Sequence, residues 1–179
     1  MPKPGAPDQD RAREIVRRLG RAYPARHPAR PDTSPAASAA KPPLEELIFT
    51  LLSQHTSDLN RDRAWAALRK RFPSWESAAA ARTRTIADVI RMGGLADSKA
   101  PRIKEVLREV RHREGGYTLE RLRGMSDDEV RHYLVSLPGI GPKTAACVLA
   151  FALGRPALPV DTHVHRLAIR LGFVAAKTD

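Results

Sequence analysis

Apolar positions recur at helical spacing along most of the chain. Over 8–23, Ile15, Val16 and Leu19 fall on one face with arginines between them, the pattern of a basic amphipathic helix that needs a packing partner. Over 44–52, Leu47, Ile48, Leu51 and Leu52 predict a more apolar helix. The next begins after Asp58, a residue suited to cap it, and continues through Trp65, Leu68 and Phe72. Two short helical patterns fill 74–92, and Gly-Gly-Leu-Ala-Asp-Ser-Lys-Ala over 93–100 reads as a turn. From 99 to 114, Ile103, Val106, Leu107 and Val110 mark an inward face, with Lys and Arg outward. Helices over 126–134, 142–153 and 162–171 complete the series. No stretch alternates with period two for long enough to require a strand, so the predicted fold class is all-α, about nine or ten helices with short connections. Between the first two helices, 24–43 holds six prolines with Ala, Ser and Arg and no usable period, which makes it a linker or a surface loop.

Composition narrows the function. A chain of 179 residues suits one domain or two small lobes, and 42% hydrophobic residues suffice for a core. Lys plus Arg number 31 against 20 acidic residues, a net charge of +11, which points to a polyanionic partner. Charge alone does not separate DNA, RNA and an anionic membrane surface. No apolar run approaches the roughly 20 residues needed to cross a bilayer, and residues 1–5 lead into no apolar signal core. An intracellular, cytoplasmic protein is therefore expected, without membrane association. Over 1–43, nine basic residues face four acidic ones, suited either to an accessory grip on DNA or to a solvated tail. The single cysteine, Cys147, excludes an internal disulfide and any multi-cysteine metal site within the chain. Set in the apolar run 145–151, it reads as core packing.

The chemistry concentrates in Leu-Pro-Gly-Ile-Gly-Pro-Lys-Thr-Ala over 137–145 and Val-Asp-Thr-His over 160–163. A Gly-Ile-Gly turn between two helices forms a hairpin. Gly139 and Gly141 can take positive φ at no steric cost, and the first-turn N–H groups of the second helix face outward. That arrangement is an anion site, and because main chain makes the contact it grips a nucleic-acid phosphate whatever the base. An ordinary helix–turn–helix corner is the alternative. Lys143, at the start of the 142–153 helix, is a candidate reactive amine, with a solvated surface lysine as the alternative. Asp161 is placed to cap the 162–171 helix, or to serve as a reactive carboxylate; the two roles are compatible.

Both stretches resemble the helix-hairpin-helix DNA glycosylases, and specifically the endonuclease III family, whose hairpin reads Leu-Pro-Gly-apolar-Gly-x-Lys-Thr-Ala and is followed by Val-Asp-Thr-His. The likeness runs from about 44 to the C-terminus. It implies two helical lobes with DNA and the active site in the cleft between them. Residues 44–155 would form a helical barrel carrying the helix-hairpin-helix at about 126–153. Residues 156–179 would begin the second lobe, joined by the 1–23 helix across the 24–43 linker. By the resemblance Lys143 is the nucleophile and Asp161 the essential carboxylate, with Gly139, Ile140, Gly141, Thr144 and His163 at the DNA. The family's Leu-Leu-Ser-x-Gln-x-Thr-Asp junction places a glutamine in the gap left by a displaced nucleotide. Here the aligned position is His55, with Gln54 one place earlier, so either could fill the gap. Leu95 matches the leucine of the family's Gly-Leu-x-x-Ser-Lys-Ala turn, which wedges into the opposite strand.

The function so implied is base-excision repair: a DNA glycosylase with β-eliminating lyase activity at abasic sites, acting as a nucleoid-associated monomer on oxidised pyrimidines in duplex DNA. A monofunctional mismatch glycosylase acting on adenine is a second possibility, although those enzymes usually lack lysine at the Lys143 position. A non-catalytic DNA-binding module is a third, and it would need the glycines but neither Lys143 nor Asp161. Most family members continue into a four-cysteine loop that binds a [4Fe-4S] cluster. No cofactor is expected within this chain, since those cysteines would have to lie beyond Asp179. A truncated sequence is the favoured expectation, and a short member lacking the cluster the alternative.

Overall fold

The computed structural model describes residues 6–23 and 41–174. Among them are nine α-helices, two 3-10 turns, one π-helical stretch and no strand. They divide into two units, one built from α1 (Ala6–Ala22) and residues 160–174, the other from 41–159. Most of the predicted linker, 24–40, lies outside the described residues.

In the first unit, α1 is helical where the pattern predicts, but Val16 and Leu19 of its apolar face are exposed. The Arg11 guanidinium lies 5.9 Å from the centre of the Phe173 ring, just beyond α9 (Thr162–Arg170). Glu14 takes hydrogen bonds from Arg17 and Arg18, which hold its carboxyl at about 2.

The second unit begins with α2 (Pro43–Ser53), entered through Pro42 with Pro43 at the first helical position, where a missing N–H costs no helical bond. The last proline of the predicted linker is thus the start of a helix. Helix α3 (Asp58–Arg71) is capped by Ser57 and not by Asp58: the Ser57 hydroxyl accepts from the Asn60 N–H at 3.3 Å, which leaves Asp58 as the first helical residue, where its charge favours the helix dipole. The two short helices expected over 74–92 are α4 (Trp75–Ala80), capped by Ser74, and α5 (Thr83–Ile90), followed by a 3-10 turn at Arg91–Gly93. Helix α6 (Ala96–Glu114) starts three residues before the predicted 99, because the turn is confined to Gly94 (φ +69°) and Leu95 (φ +52°). After a second 3-10 turn (Glu120–Gly124) comes α7 (Asp127–Val135), opened by a reciprocal cap in which Ser126 and Glu129 bond each other's backbone N–H.

The helix predicted over 142–153 is α8 (Pro142–Cys147) running directly into a π-helical stretch, Val148–Ala152. The Leu153 N–H bonds the Val148 carbonyl five residues back, at 3.1 Å, which widens the turn. Leu47, Ile48, Leu51 and Leu52 of α2 share a fully buried core with Leu68, Ile86, Ile90, Ile103, Leu107, Val130, Leu134 and Leu149. Every predicted inward position of α6 is among the buried residues. Cys147 is buried, as its apolar run implies.

Candidate active site

The hairpin lies between α7 and α8. Gly139 has φ +69°, a conformation that side chains resist, and an ideal Cβ there would stand 2.5 Å from Arg102 Nε. Gly141 departs from expectation: with φ −100° and ψ 174° it is extended backbone open to any residue, and a Cβ on it would meet nothing within 4 Å. Gly141 serves as the N-cap of α8 without a side-chain hydrogen bond, and Pro142 follows at the first helical position. Ile140 is buried in the core, so whatever it offers a phosphate is main chain. Thr144 is also buried, in the first turn of α8, whereas Lys143 beside it is exposed. Burial pushes the Cys147 thiol up, and the charge of Lys143, one turn earlier, opposes that shift.

Asp161 is the N-cap of α9, its carboxylate accepting from the Val164 N–H at 2.8 Å. In the same helix His163 is exposed, and its Nδ1 accepts from Arg166 at 3.0 Å. Lys143 and the hairpin belong to the 41–159 unit, Asp161 and His163 to the other.

The two loops singled out by the sequence share the 41–159 unit with the hairpin. His55 is exposed with φ +50°; Gln54 is half-buried, its amide oxygen 3.5 Å from Arg102 Nη1. Leu95 is 56% exposed at the start of α6. Lys99, expected to point outward, points inward: its Nζ donates to the carbonyls of Leu52 and Gly93, each at 2.8 Å. Sequence reasoning passed over both Lys99 and Arg102. The available signal was position, since a helix starting at 96 puts residues 99 and 102 on its first two turns, beside the loop that precedes it.

A buried polar pair on α2 adjoins Cys147 of α8. The Thr50 hydroxyl donates to Glu46 Oε1 at 3.1 Å, and burial pushes the Glu46 carboxyl up against the lowering influence of Lys41, Thr50 and Arg61. A four-cysteine cluster finds one thiol here, Cys147, in the core, and no group of three or more metal-binding side chains exists among the described residues. The residues present do not fit such a cluster.

Residues 48–179 match the HhH-GPD superfamily base excision DNA repair protein family. The chain is 35% identical over 170 residues to endonuclease III of Thermotoga maritima, covering 95% of this chain and 68% of that protein. It is 43% identical over 136 residues to an Arabidopsis thaliana protein whose name gives it as a DNA glycosylase, covering 76% of this chain but only 46% of that protein. A solved non-covalent endonuclease III–DNA complex superposes with a TM-score of 0.70 at 27% identity, covering 95% of this chain and 72% of the other. This chain therefore belongs to the HhH-GPD superfamily, within the endonuclease III family of DNA glycosylases, and has its all-α helix-hairpin-helix fold. No helix among the described residues is long and apolar enough to cross a membrane.

Proposed function

We propose that this chain carries the catalytic core of a bifunctional DNA glycosylase and abasic-site lyase acting on oxidised pyrimidines in duplex DNA. The observation that carries the proposal is Lys143: an exposed amine in the first turn of α8, immediately after a hairpin whose Gly139 adopts a left-handed conformation. Backbone amides at the hairpin hold a phosphate, and the net charge of +11 strengthens the hold on DNA without reading sequence. The damaged nucleotide leaves the stack. The Lys143 amine, in its neutral form, attacks C1′; the C1′–N bond to the base breaks, and the base departs with a proton. Opening of the sugar gives a Schiff base, which acidifies C2′; loss of that proton breaks the C3′–O bond and releases the phosphate. Asp161 stabilises the positive charge that develops on the deoxyribose while its cap holds α9. The protein acts on its DNA as a monomer.

The test uses a duplex with one oxidised pyrimidine, resolved on a gel with and without alkali. Strand breaks appearing equally without alkali support the bifunctional assignment. Breaks that need alkali indicate base removal alone and overturn the lyase step. Binding with no break under either condition leaves a DNA-binding module.

A further inference from the structure

Lys99 is shared by the two loops that carry His55 and Leu95. It is 4% exposed and stands in the first turn of α6. Its Nζ spans the carbonyl of Leu52, in the last turn of α2, and that of Gly93, at the end of the 3-10 turn, 2.8 Å to each. Each carbonyl sits at the root of a loop: Ser53-Gln54-His55 leaves from one, Gly94-Leu95 from the other. Both belong to helix C-termini, where the unsatisfied carbonyls favour a cation.

The loops also lie directly against one another. An ideal Cβ on Gly94 would stand 3.7 Å from the His55 carbonyl oxygen. Among the described residues, His55 (φ +50°) and Leu95 (φ +52°) are the only non-glycines with positive φ. Such a conformation is strained for a side-chain-bearing residue and persists only where the surroundings enforce it. Two strained, exposed residues thus stand side by side over one buried ammonium. Gln54 is turned aside, its amide held toward Arg102.

We propose that Lys99 is a positioning residue that fastens the 53–55 loop to the 93–95 loop, so that His55 and Leu95 enter an opened duplex as one rigid unit. This rests on the assignment above of the chain to a glycosylase that opens the stack. The solvent-exposed tips do the wedging, and Lys99 makes each tip's placement depend on the other's.

The experiment is a double-mutant cycle read by fluorescence of 2-aminopurine placed beside a tetrahydrofuran abasic-site analogue in duplex DNA, a signal that needs no catalysis. His55→Ala and Leu95→Ala should each reduce the opened fraction about tenfold and the pair little more, since parts of one unit are non-additive. In Lys99→Met protein the opened fraction should drop about tenfold and the two alanine effects should become additive in free energy. Binding to single-stranded DNA of the same sequence, which has no duplex to open, should stay within about twofold. The same coupling with and without Lys99 overturns the proposal. Alanine variants that leave the signal unchanged overturn the wedge roles themselves, a different failure. Should Lys99→Met not fold, Lys99→Arg, which keeps the cation with altered reach, takes its place; loss of the fold in both makes Lys99 a folding element and overturns the proposal.

Discussion

The side chain of Arg102 occupies the space that a Cβ on Gly139 would need, with Nε 2.5 Å and Cδ 2.7 Å from that position. The same arginine reaches Gln54 on the far side, so one residue of α6 touches both the hairpin and the loop after α2. Glycine at 139 is demanded by φ +69°, and a Cβ there would also have to displace the Arg102 side chain. At 141 neither applies.

The two hairpin glycines should therefore separate experimentally. Gly139→Ala strains the left-handed backbone and displaces Arg102, and should destabilise the protein by about 1–2 kcal/mol while weakening duplex binding. Gly141→Ala should leave the melting temperature nearly unchanged, because extended backbone accepts alanine. If a phosphate approaches the chain there, affinity for damaged and undamaged duplex should still drop together. Thermal melts and binding isotherms on the two variants decide it; equal stability losses would contradict the assigned conformations.

Asp161→Asn should leave the fold nearly intact, since asparagine is itself a good N-cap and can still accept from the Val164 N–H. Base excision should fall roughly a hundredfold or more if the carboxylate stabilises a developing cation in a desolvated site. Single-turnover excision measured beside the melting temperature separates the two roles. A folded variant cutting at the wild-type rate would reduce Asp161 to a cap.

The buried Glu46 makes a pH prediction. Burial raises its pKa in the fold above the unfolded value of 4.5, so ionisation costs stability as pH climbs through and above 4.5, and that cost is absent below it. Glu46→Gln keeps an acceptor for the Thr50 hydroxyl and removes the titration. The variant should melt higher than wild type at pH 7, and the difference should vanish as pH falls below 4.5. A variant that melts lower at pH 7 would mean that Glu46 is held ionised by Lys41 and Arg61.

The helices were legible because their apolar spacing is strong; α2 and α6 bury the residues their periodicity selects. Boundaries were harder. Ser57 and Asp58 are both good caps, and only the backbone decides that the helix begins one residue beyond the serine. The π-helical turn at Val148–Ala152 leaves no mark in an apolar run, since the widening redistributes main-chain bonds without changing which residues are apolar. For the candidate site, the family resemblance singled out Lys143, Asp161 and the two loops. Sequence reasoning missed Lys99 and Arg102, because a lysine on a helix rich in cations looks solvated until its carbonyl partners, 47 and 6 residues away, are seen. The Gly141 conformation was misjudged for a related reason: glycine permits positive φ without requiring it.

The central claim is that Lys143 is the nucleophile, and covalent trapping tests it most directly. Borohydride added to the protein with abasic-site duplex should reduce the Schiff base to a stable adduct, and mass spectrometry of its peptides should place the DNA remnant on Lys143. Lys143→Gln should give no adduct while binding the same duplex within about tenfold of wild type, since the hairpin's main-chain contacts persist. An adduct of undiminished yield in Lys143→Gln, or one mapped to another lysine, would contradict the account.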